Sequence, residues 1–383
     1  MAPEIISTGL KTAVSGGTWI EVDLARIFKN LEEIRERAGQ STHVMAVVKA
    51  NAYGHGIVPV AKALQDKVDF FGISSLKEAV ILREQGIDIP LLVFGRIFPE
   101  EMSTAFLKDL RLTVSSLEEA RIISDSASAL AKKVDIHIKV DTGMGRLGIP
   151  YSRAFSEIIT MASLPGTRLE GIYTHFPTAE RFPDFFTEKQ LANFEKLIRD
   201  LENRGINFKF RHAANSAGAL RFKSPVLNLV RPGIALYGIH PDSSFEQEIP
   251  LLPTLALKTK IVFLKKLSPG DSVGYGREFV ASRSTTIAVL PVGYAHGYPY
   301  HLSGKGEVLY RGKRFKVAGR VCMDLTMIDL GPSTQARVGD EVILLGSYGE
   351  SEIKASELAA LSHTIPYEII TGLDPGLPRI YRI

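Results

Sequence analysis

Between Val44 and Gly238 the chain alternates short apolar runs with amphipathic stretches. The runs are VMAVV (44–48), VDFFGI (68–73), PLLVFG (90–95), LRLTV (110–114), VDIHIKV (134–140), LEGIYTH (169–175), FKFRHA (208–213) and GIALYG (233–238). Several are rich in β-branched or aromatic residues and lack clean alternation, the mark of parallel strands buried on both faces. Helix starts lie between them. Ser75 with Glu78, Ser116 with Glu119 and Thr187 with Gln190 each fit a capping box. Eight strands with intervening helices over about 200 residues predict a (β/α)8 barrel of the TIM type. An open doubly wound sheet is the alternative.

After about Pro250 the texture changes. ALKTKIVFL, TTIAVLPVG, GEVLYRG, KRFKVAG, DLTMIDL and DEVILLG are strand-like and are separated by Pro-Gly, Gly-Lys and Gly-Asp turns. One helix is expected near Ala355–Leu361. The predicted organisation is a flexible tail over residues 1–17, an α/β barrel over 18–250 and a mainly-β domain over 251–383.

Composition narrows the classes of function. Hydrophobic content of 45% and charged content of 23% suit a globular protein with a substantial core. The net charge is +4 and no lysine- or arginine-rich block occurs, which argues against nucleic acid as the main partner. The single cysteine, Cys322, excludes an intrachain disulfide and suits a reducing, cytoplasmic setting. No apolar run approaches the roughly 18–20 residues of a membrane span. MAPEIISTGLKTAVSGG lacks the basic start and long apolar region of a secretory signal.

In a barrel, the C-terminal ends of the strands form the active face. Lys49 ends the first run, Lys139 the fifth and His175 the sixth; HAANSAGAL follows the seventh, and Arg231 precedes the eighth. All fall on one rim. A lysine at an apolar strand tip can reach into solvent, but burial disfavours its ammonium form and can leave an amine able to form a Schiff base. Tyr53, four residues on, can place a phenol over the same rim. Asn215–Ser216–Ala217–Gly218 offers a hydroxyl and backbone N–H groups at a helix start, either a plain cap or a phosphate cradle. A lysine for an aldehyde and a cradle for a phosphate point to pyridoxal phosphate.

GMGRLG (143–148) matches G-x-G-x-x-G, but it sits in the fifth unit and carries Arg146, read here as a carboxylate clamp. No metal site is expected: one cysteine makes no zinc ribbon and HExxH is missing. His55, between two glycines, reads as structural. No Gly-x-Ser-x-Gly elbow occurs.

VVKANAYGHG, KVDTGMGRLG, HAANSAGAL, VRPGIALYG, VGYGR, PVGYAHG and GRVCMD together resemble the alanine racemase family over nearly the whole chain after Thr18. The resemblance implies a fold-type III pyridoxal phosphate enzyme acting on alanine as a head-to-tail homodimer with shared active sites, supplying D-alanine for peptidoglycan. It implies that Lys49 carries the cofactor. Tyr53, Ser216, Gly233, Ile234 and Tyr367 would hold its phosphate, and Arg231 would face the pyridine nitrogen with His175 nearby. Arg146 and the backbone near Met323 would bind the substrate carboxylate. Lys139, often carbamylated in the family, would position Arg146. Tyr275 and Asp324 would come from the partner subunit. Proton removal on one face and return on the other calls for two bases, Lys49 and Tyr275.

Three positions depart from the family pattern. His296 stands where GYADG has aspartate, Tyr300 lies near the position of the usual entrance arginine, and Glu180 replaces an aspartate after the sixth strand. They leave substrate breadth open, with a broad-specificity racemase as the alternative. A barrel that only regulates pyridoxal phosphate supply would lack VGYGR and GRVCMD. A decarboxylase of basic amino acids would use a cysteine where Met323–Asp324 follow Cys322.

Overall fold

The structure is a computed structural model that describes residues 17–181 and 183–383. The tail expected over 1–17 therefore lies outside the described residues up to residue 16. The chain divides into two compact units. One comprises Phe28–Ala52 and Val60–Leu252; the other comprises the described residues up to Ile27, Tyr53–Pro59 and Pro253–Ile383.

The chain enters through β1 (Thr18–Asp23), which belongs to the second unit. The first unit then runs through β2 (His43–Val47), β3 (Phe70–Ile73), β4 (Leu91–Val93), β5 (Arg111–Val114), β6 (Val134–Asp141), the two-residue β7 (Ile149–Pro150), β8 (Thr167–Tyr173), β9 (Phe210–His212) and β10 (Leu229–Val230). The order β5-β4-β3-β2-β10-β9-β8-β6 is closed by pairing of β5 with β6, so eight parallel strands form the expected barrel. β7 lies beside the end of β6. Met45, Phe70, Leu92, Phe210 and Leu229 pack together as one cluster of the core.

TWIEVD, at the start expected for the barrel, is a strand of the second unit. One expectation about a barrel strand is corrected. The eighth strand is Leu229–Val230, whereas GIALYG folds as a 3₁₀ turn, Ile234–Tyr237. Pro232 explains this: it has no N–H for a ladder, and its carbonyl accepts from Val47 N–H at 2.9 Å. Arg231 thus follows the eighth strand and still lies at its C-terminal end.

Helix caps follow the sequence in two cases of three. Ser75 and Ser116 accept from the N–H groups of Glu78 and Glu119. The glutamates reach back one residue beyond the cap, to the N–H groups of Ser74 and Ser115. The third helix, Phe185–Glu202, is capped by Asp184, and Thr187 is buried inside it. Asp184 wins because its carboxylate accepts from both Phe186 and Thr187 N–H.

The second unit is mainly β. It comprises β11 (Leu255–Lys260), β12 (Phe263–Leu267), β13 (Ser272–Val273), β14 (Phe279–Val280), β15 (Thr285–Leu290), β16 (Glu307–Tyr310), β17 (Lys313–Lys316), β18 (Thr326–Asp329), β19 (Glu341–Tyr348), β20 (Ser351–Ile353) and β21 (Arg379–Arg382). The largest sheet has the order β17-β16-β19-β11-β1-β21, with β20 on β19. β12, β15 and β18 form a second sheet, and β13–β14 a short hairpin. The expected helix is found as Ala355–Ser362, followed by one the sequence did not suggest, Pro366–Thr371.

The YGHG segment packs into this second unit. His55 is fully buried; its Nδ1 is 3.0 Å from the Tyr53 carbonyl and its Nε2 2.8 Å from Thr254 Oγ1, which supports the structural reading. Gly54 has φ +83°, and a Cβ there would overlap the carbonyl oxygen of Ile370. Gly54→Ala is therefore expected to cost about 2–4 kcal/mol, from backbone strain plus overpacking, and to lower the thermal midpoint by several degrees. Calorimetry against wild type checks this, and an unchanged midpoint would contradict the packing described.

Candidate active site

Lys49 stands two residues past β2 and is partly buried. The chain after it is unusual. Ala50, Asn51, Ala52 and Tyr53 all have φ between 52 and 55°. This is one left-handed helical turn, closed by Ala52 N–H donating to the Val48 carbonyl at 2.8 Å. Such a turn costs about 1–2 kcal/mol per non-glycine residue. Glu78 offsets part of that. Its carboxylate accepts from Ala50 N–H at 2.7 Å, and from the N–H and hydroxyl of Ser74 at 2.7 and 2.8 Å.

Arg231 is 4% exposed. It donates from Nη1 to His212 Nδ1 at 2.9 Å. Nη2 donates to the carbonyls of Thr174 and Ala213 at 2.9 and 3.0 Å and to His175 Nδ1 at 3.2 Å. Burial lowers its pKa to about 10, so it remains a cation at neutral pH. Burial, and then the charge of Arg231, pull His175 down to about 2 and keep that imidazole neutral.

The remaining cations crowd the same rim. Burial lowers Lys139 to about 8, with Arg146 and Arg231 pushing in the same direction. Its ammonium lies 5.5 Å from the Tyr173 ring centre. Burial and Arg146 lower Lys49 as well, with Glu78 opposing them. Asp141 is engaged by the N–H groups of Gly143 and Gly145, at 2.9 and 3.1 Å, and so shapes the GMGRLG loop that carries the exposed Arg146. The loop starts no helix, consistent with its rejection as a dinucleotide fingerprint.

Ser216 opens the short helix Ser216–Arg221, capped by Asn215. Its Oγ accepts two hydrogen bonds, from the N–H of Gly233 at 2.9 Å and of Ala235 at 3.3 Å. Both lone pairs are then used, and the hydroxyl proton is left to donate to an outside acceptor. This joins HAANSAGAL to the GIALYG turn, with Gly233 and Ile234 buried beside Ser216.

The first unit thus gathers Lys49, Lys139, Arg146, His175, Ser216, Arg231, Gly233 and Ile234 at one end of the barrel. In the second unit the Tyr53 and Tyr367 rings lie 6.2 Å apart. Tyr275 is 71% and Met323 54% exposed, and Asp324 is also exposed. Gly274 and Gly276 flank Tyr275 at φ +71 and +72°. Of the departing positions, His296 Nδ1 accepts from Gly293 N–H at 3.2 Å and Tyr300 lies edge-on to Tyr294 at 6.3 Å. The Glu180 carbonyl accepts from Arg221.

Sequence reading took Glu78 and Gln190 only as capping-box residues and missed two histidines. Gln190 Nε2 donates to Thr142 Oγ1 at 3.1 Å and to the His175 carbonyl at 3.3 Å, tying two strand ends together. His137 and His212 lie inside the barrel, fully buried. The available signal was period two: His137 and Lys139 share one face of β6.

The profile described as "Alanine racemase, N-terminal domain" matches residues 22–241, and "Alanine racemase, C-terminal domain" matches 254–381. A protein named alanine racemase from Desulforamulus reducens is 41% identical over 95% of this chain and 98% of its own. One from Carboxydothermus hydrogenoformans is 42% identical over 95% and 99%. Among solved structures, alanine racemase of Clostridium difficile 630 superposes with a TM-score of 0.90 at 36% identity, covering 95% of each chain. That of Bacillus anthracis, solved with bound L-Ala-P, superposes at 0.89 and 38%, again over 95% of each. With two profiles covering the barrel and the β unit, and relatives at about 40% identity over their full length, the chain belongs to the alanine racemase family.

Proposed function

We propose that this chain interconverts L- and D-alanine with pyridoxal phosphate as cofactor, feeding D-alanine to peptidoglycan. The observation that carries the reading is the cation-rich rim around an amine of lowered pKa. An excess of positive charge there suits two anions, a phosphate and a substrate carboxylate. The residues fit the cofactor: Ser216 keeps a hydroxyl proton to donate, the first turn of its helix presents N–H groups, and Arg231 presents a fixed guanidinium. Lys49 would hold the group covalently. Tyr53, Ser216, Gly233, Ile234 and Tyr367 would hold its phosphate, and Arg231 and His175 its ring.

Bound pyridoxal phosphate supplies an aldehyde for the substrate amine and a ring that draws electrons from Cα. The protein does the rest. Arg146, with the backbone near Met323, orients the carboxylate. Lys49 Nζ takes or returns the α-proton on one face, and the phenol oxygen of Tyr275 of the partner subunit serves the other. Asp324 of the partner subunit lines the same site.

Three tests follow. The purified protein should absorb visible light, and borohydride should fix the cofactor on the peptide containing Lys49. Labelling only elsewhere sinks that assignment, while racemisation rates across alanine, serine, lysine and arginine decide substrate breadth.

The second concerns Lys139. Only a neutral amine combines with CO2, giving a carbamate anion and releasing a proton. With a pKa of about 8, the neutral fraction falls about tenfold per pH unit below that value. In 13C-bicarbonate the carbamate signal should be strong at pH 8, fade toward pH 6 and vanish in Lys139→Ala, whose KM for alanine should rise. A missing signal at pH 8 removes the carbamate.

The third concerns the dimer. Lys49→Ala and Tyr275→Phe should each lose most turnover, yet mixing them under subunit exchange should restore activity, because one shared site then carries neither lesion. Confirmed exchange without recovery means that the two residues act within one chain.

A further inference from the structure

The polar contacts of Arg231 continue through the barrel core. His212 Nε2 lies 2.9 Å from His137 Nδ1, and His137 Nε2 lies 3.3 Å from Glu170 Oε2. All four residues are less than 10% exposed. A guanidinium can only donate, so the His212 Nδ1 that meets Arg231 must be a lone pair. The one proton of a neutral His212 is then on Nε2 and points at His137 Nδ1, which must also be a lone pair. The His137 proton is on Nε2 and points at a carboxylate, which can only accept. Every hydrogen bond from Arg231 to Glu170 runs in one direction.

The fold is built around this chain. β6 and β8 pair in register up to Ile136–Leu169, and the next partners are His137 and Gly171, so Glu170 is an extra residue in a β-bulge. A Cβ at Gly171 would overlap the His137 ring. Tyr173 stacks on His212 with centroids 4.8 Å apart and planes within 6°, and Phe210 stacks on His137 within 17°. Arg111 Nε lies 3.4 Å from Glu170 Oε2 and supports its charge.

We propose that His137 and Glu170 are positioning residues for Arg231, with Glu170 accepting at the far end of the chain and so stabilising the imidazole tautomers that present a lone pair to the guanidinium. If the chain reversed, N–H groups of His212 and Arg231 would face each other at 2.9 Å and Arg231 would leave its carbonyl partners. The consequence for catalysis rests on the reading of Arg231 as the partner of the cofactor ring; the tautomers themselves do not.

Neutron diffraction from deuterated holoenzyme crystals tests the chain directly. The expected result is a deuteron on Nε2 of both His137 and His212 and none on either Nδ1. A deuteron on Nδ1 of either ring overturns the proposal, whether or not any variant folds. Glu170→Gln keeps an acceptor oxygen and should keep both tautomers, with kcat within about twofold of wild type. Glu170→Ala should leave the His137 Nε2–H without its acceptor, weaken the tautomers that suit Arg231 and lower kcat about tenfold with little change in KM for alanine, as expected when a buried donor loses its acceptor. A folded Glu170→Ala with wild-type kcat and unchanged deuterons overturns the positioning role. Wild-type crystals with the expected deuterons but no alanine racemisation would retire the functional reading and leave the hydrogen-bond chain supported.

Discussion

The barrel end is organised by one buried cation. Arg231 is out of water, and its hydrogen bonds go to two carbonyl oxygens and two imidazole nitrogens. Burying a charge is costly unless every donor finds an acceptor. The fold meets that demand with backbone. Thr174 and Ala213 each lie one residue past the ends of β8 and β9, where strand carbonyls need not all enter the ladder. Pro232 then turns the chain away as soon as Arg231 is in place, and the next residues form the 3₁₀ turn that Ser216 holds. The dipoles satisfy the guanidinium without cancelling its charge. The field of Arg231 therefore reaches its neighbours and contributes to the lowered pKa values of His175 and Lys139.

The nearby acids do not remove this field. Asp141 opposes it at Lys139 but is tied by N–H groups of the loop it shapes, and Glu78 opposes the charge of Arg146 at Lys49 but is tied to the turn after that residue. Each carboxylate thus serves mainly to fix backbone. The outcome is a rim where Lys139, lowered to about 8, is partly neutral near physiological pH, Lys49 is lowered in the same direction and Arg231 stays charged. A carboxylate and a phosphate would both bind there, and a neutral lysine can act as a base. One electrostatic arrangement favours binding and proton transfer together.

Much of this was legible in the sequence, and the failures have physical causes. Seven barrel strands coincide with apolar runs because strands buried on both faces are apolar nearly throughout. GIALYG misled because apolarity reports burial, and a buried 3₁₀ turn is as apolar as a strand. TWIEVD was overlooked because β1 pairs with β11 and β21, strands more than 200 residues later, and nothing local announces such a partner. Lys49, Lys139, His175 and Arg231 were legible because reactive side chains stand out at the ends of apolar runs. His137, His212 and Glu170 were not, because each sits inside such a run. A bulge leaves no sequence mark, and Gly171 reads as an ordinary strand glycine until the ring that fills its space is seen.

Under the proposed function, Arg231 also bears on which reaction is favoured. A carboxylic acid beside a ring nitrogen can share its proton and make the ring a strong electron sink. Arg231, lowered only to about 10, keeps its proton at neutral pH and offers hydrogen bonds alone. Negative charge left at Cα would then be stabilised less, and its lifetime would be short. Slow alternatives that need protonation elsewhere on the cofactor lose more from a short lifetime than does immediate return of a proton to Cα. Such a reaction would favour bases already in place, one on each face. On the barrel side, the strained turn after Lys49 and its clasp by Glu78 fix the backbone from which that amine would act. A weak sink and a preorganised base would then suit each other, since a ring that stabilises little charge is useful only where the proton has a short way to go.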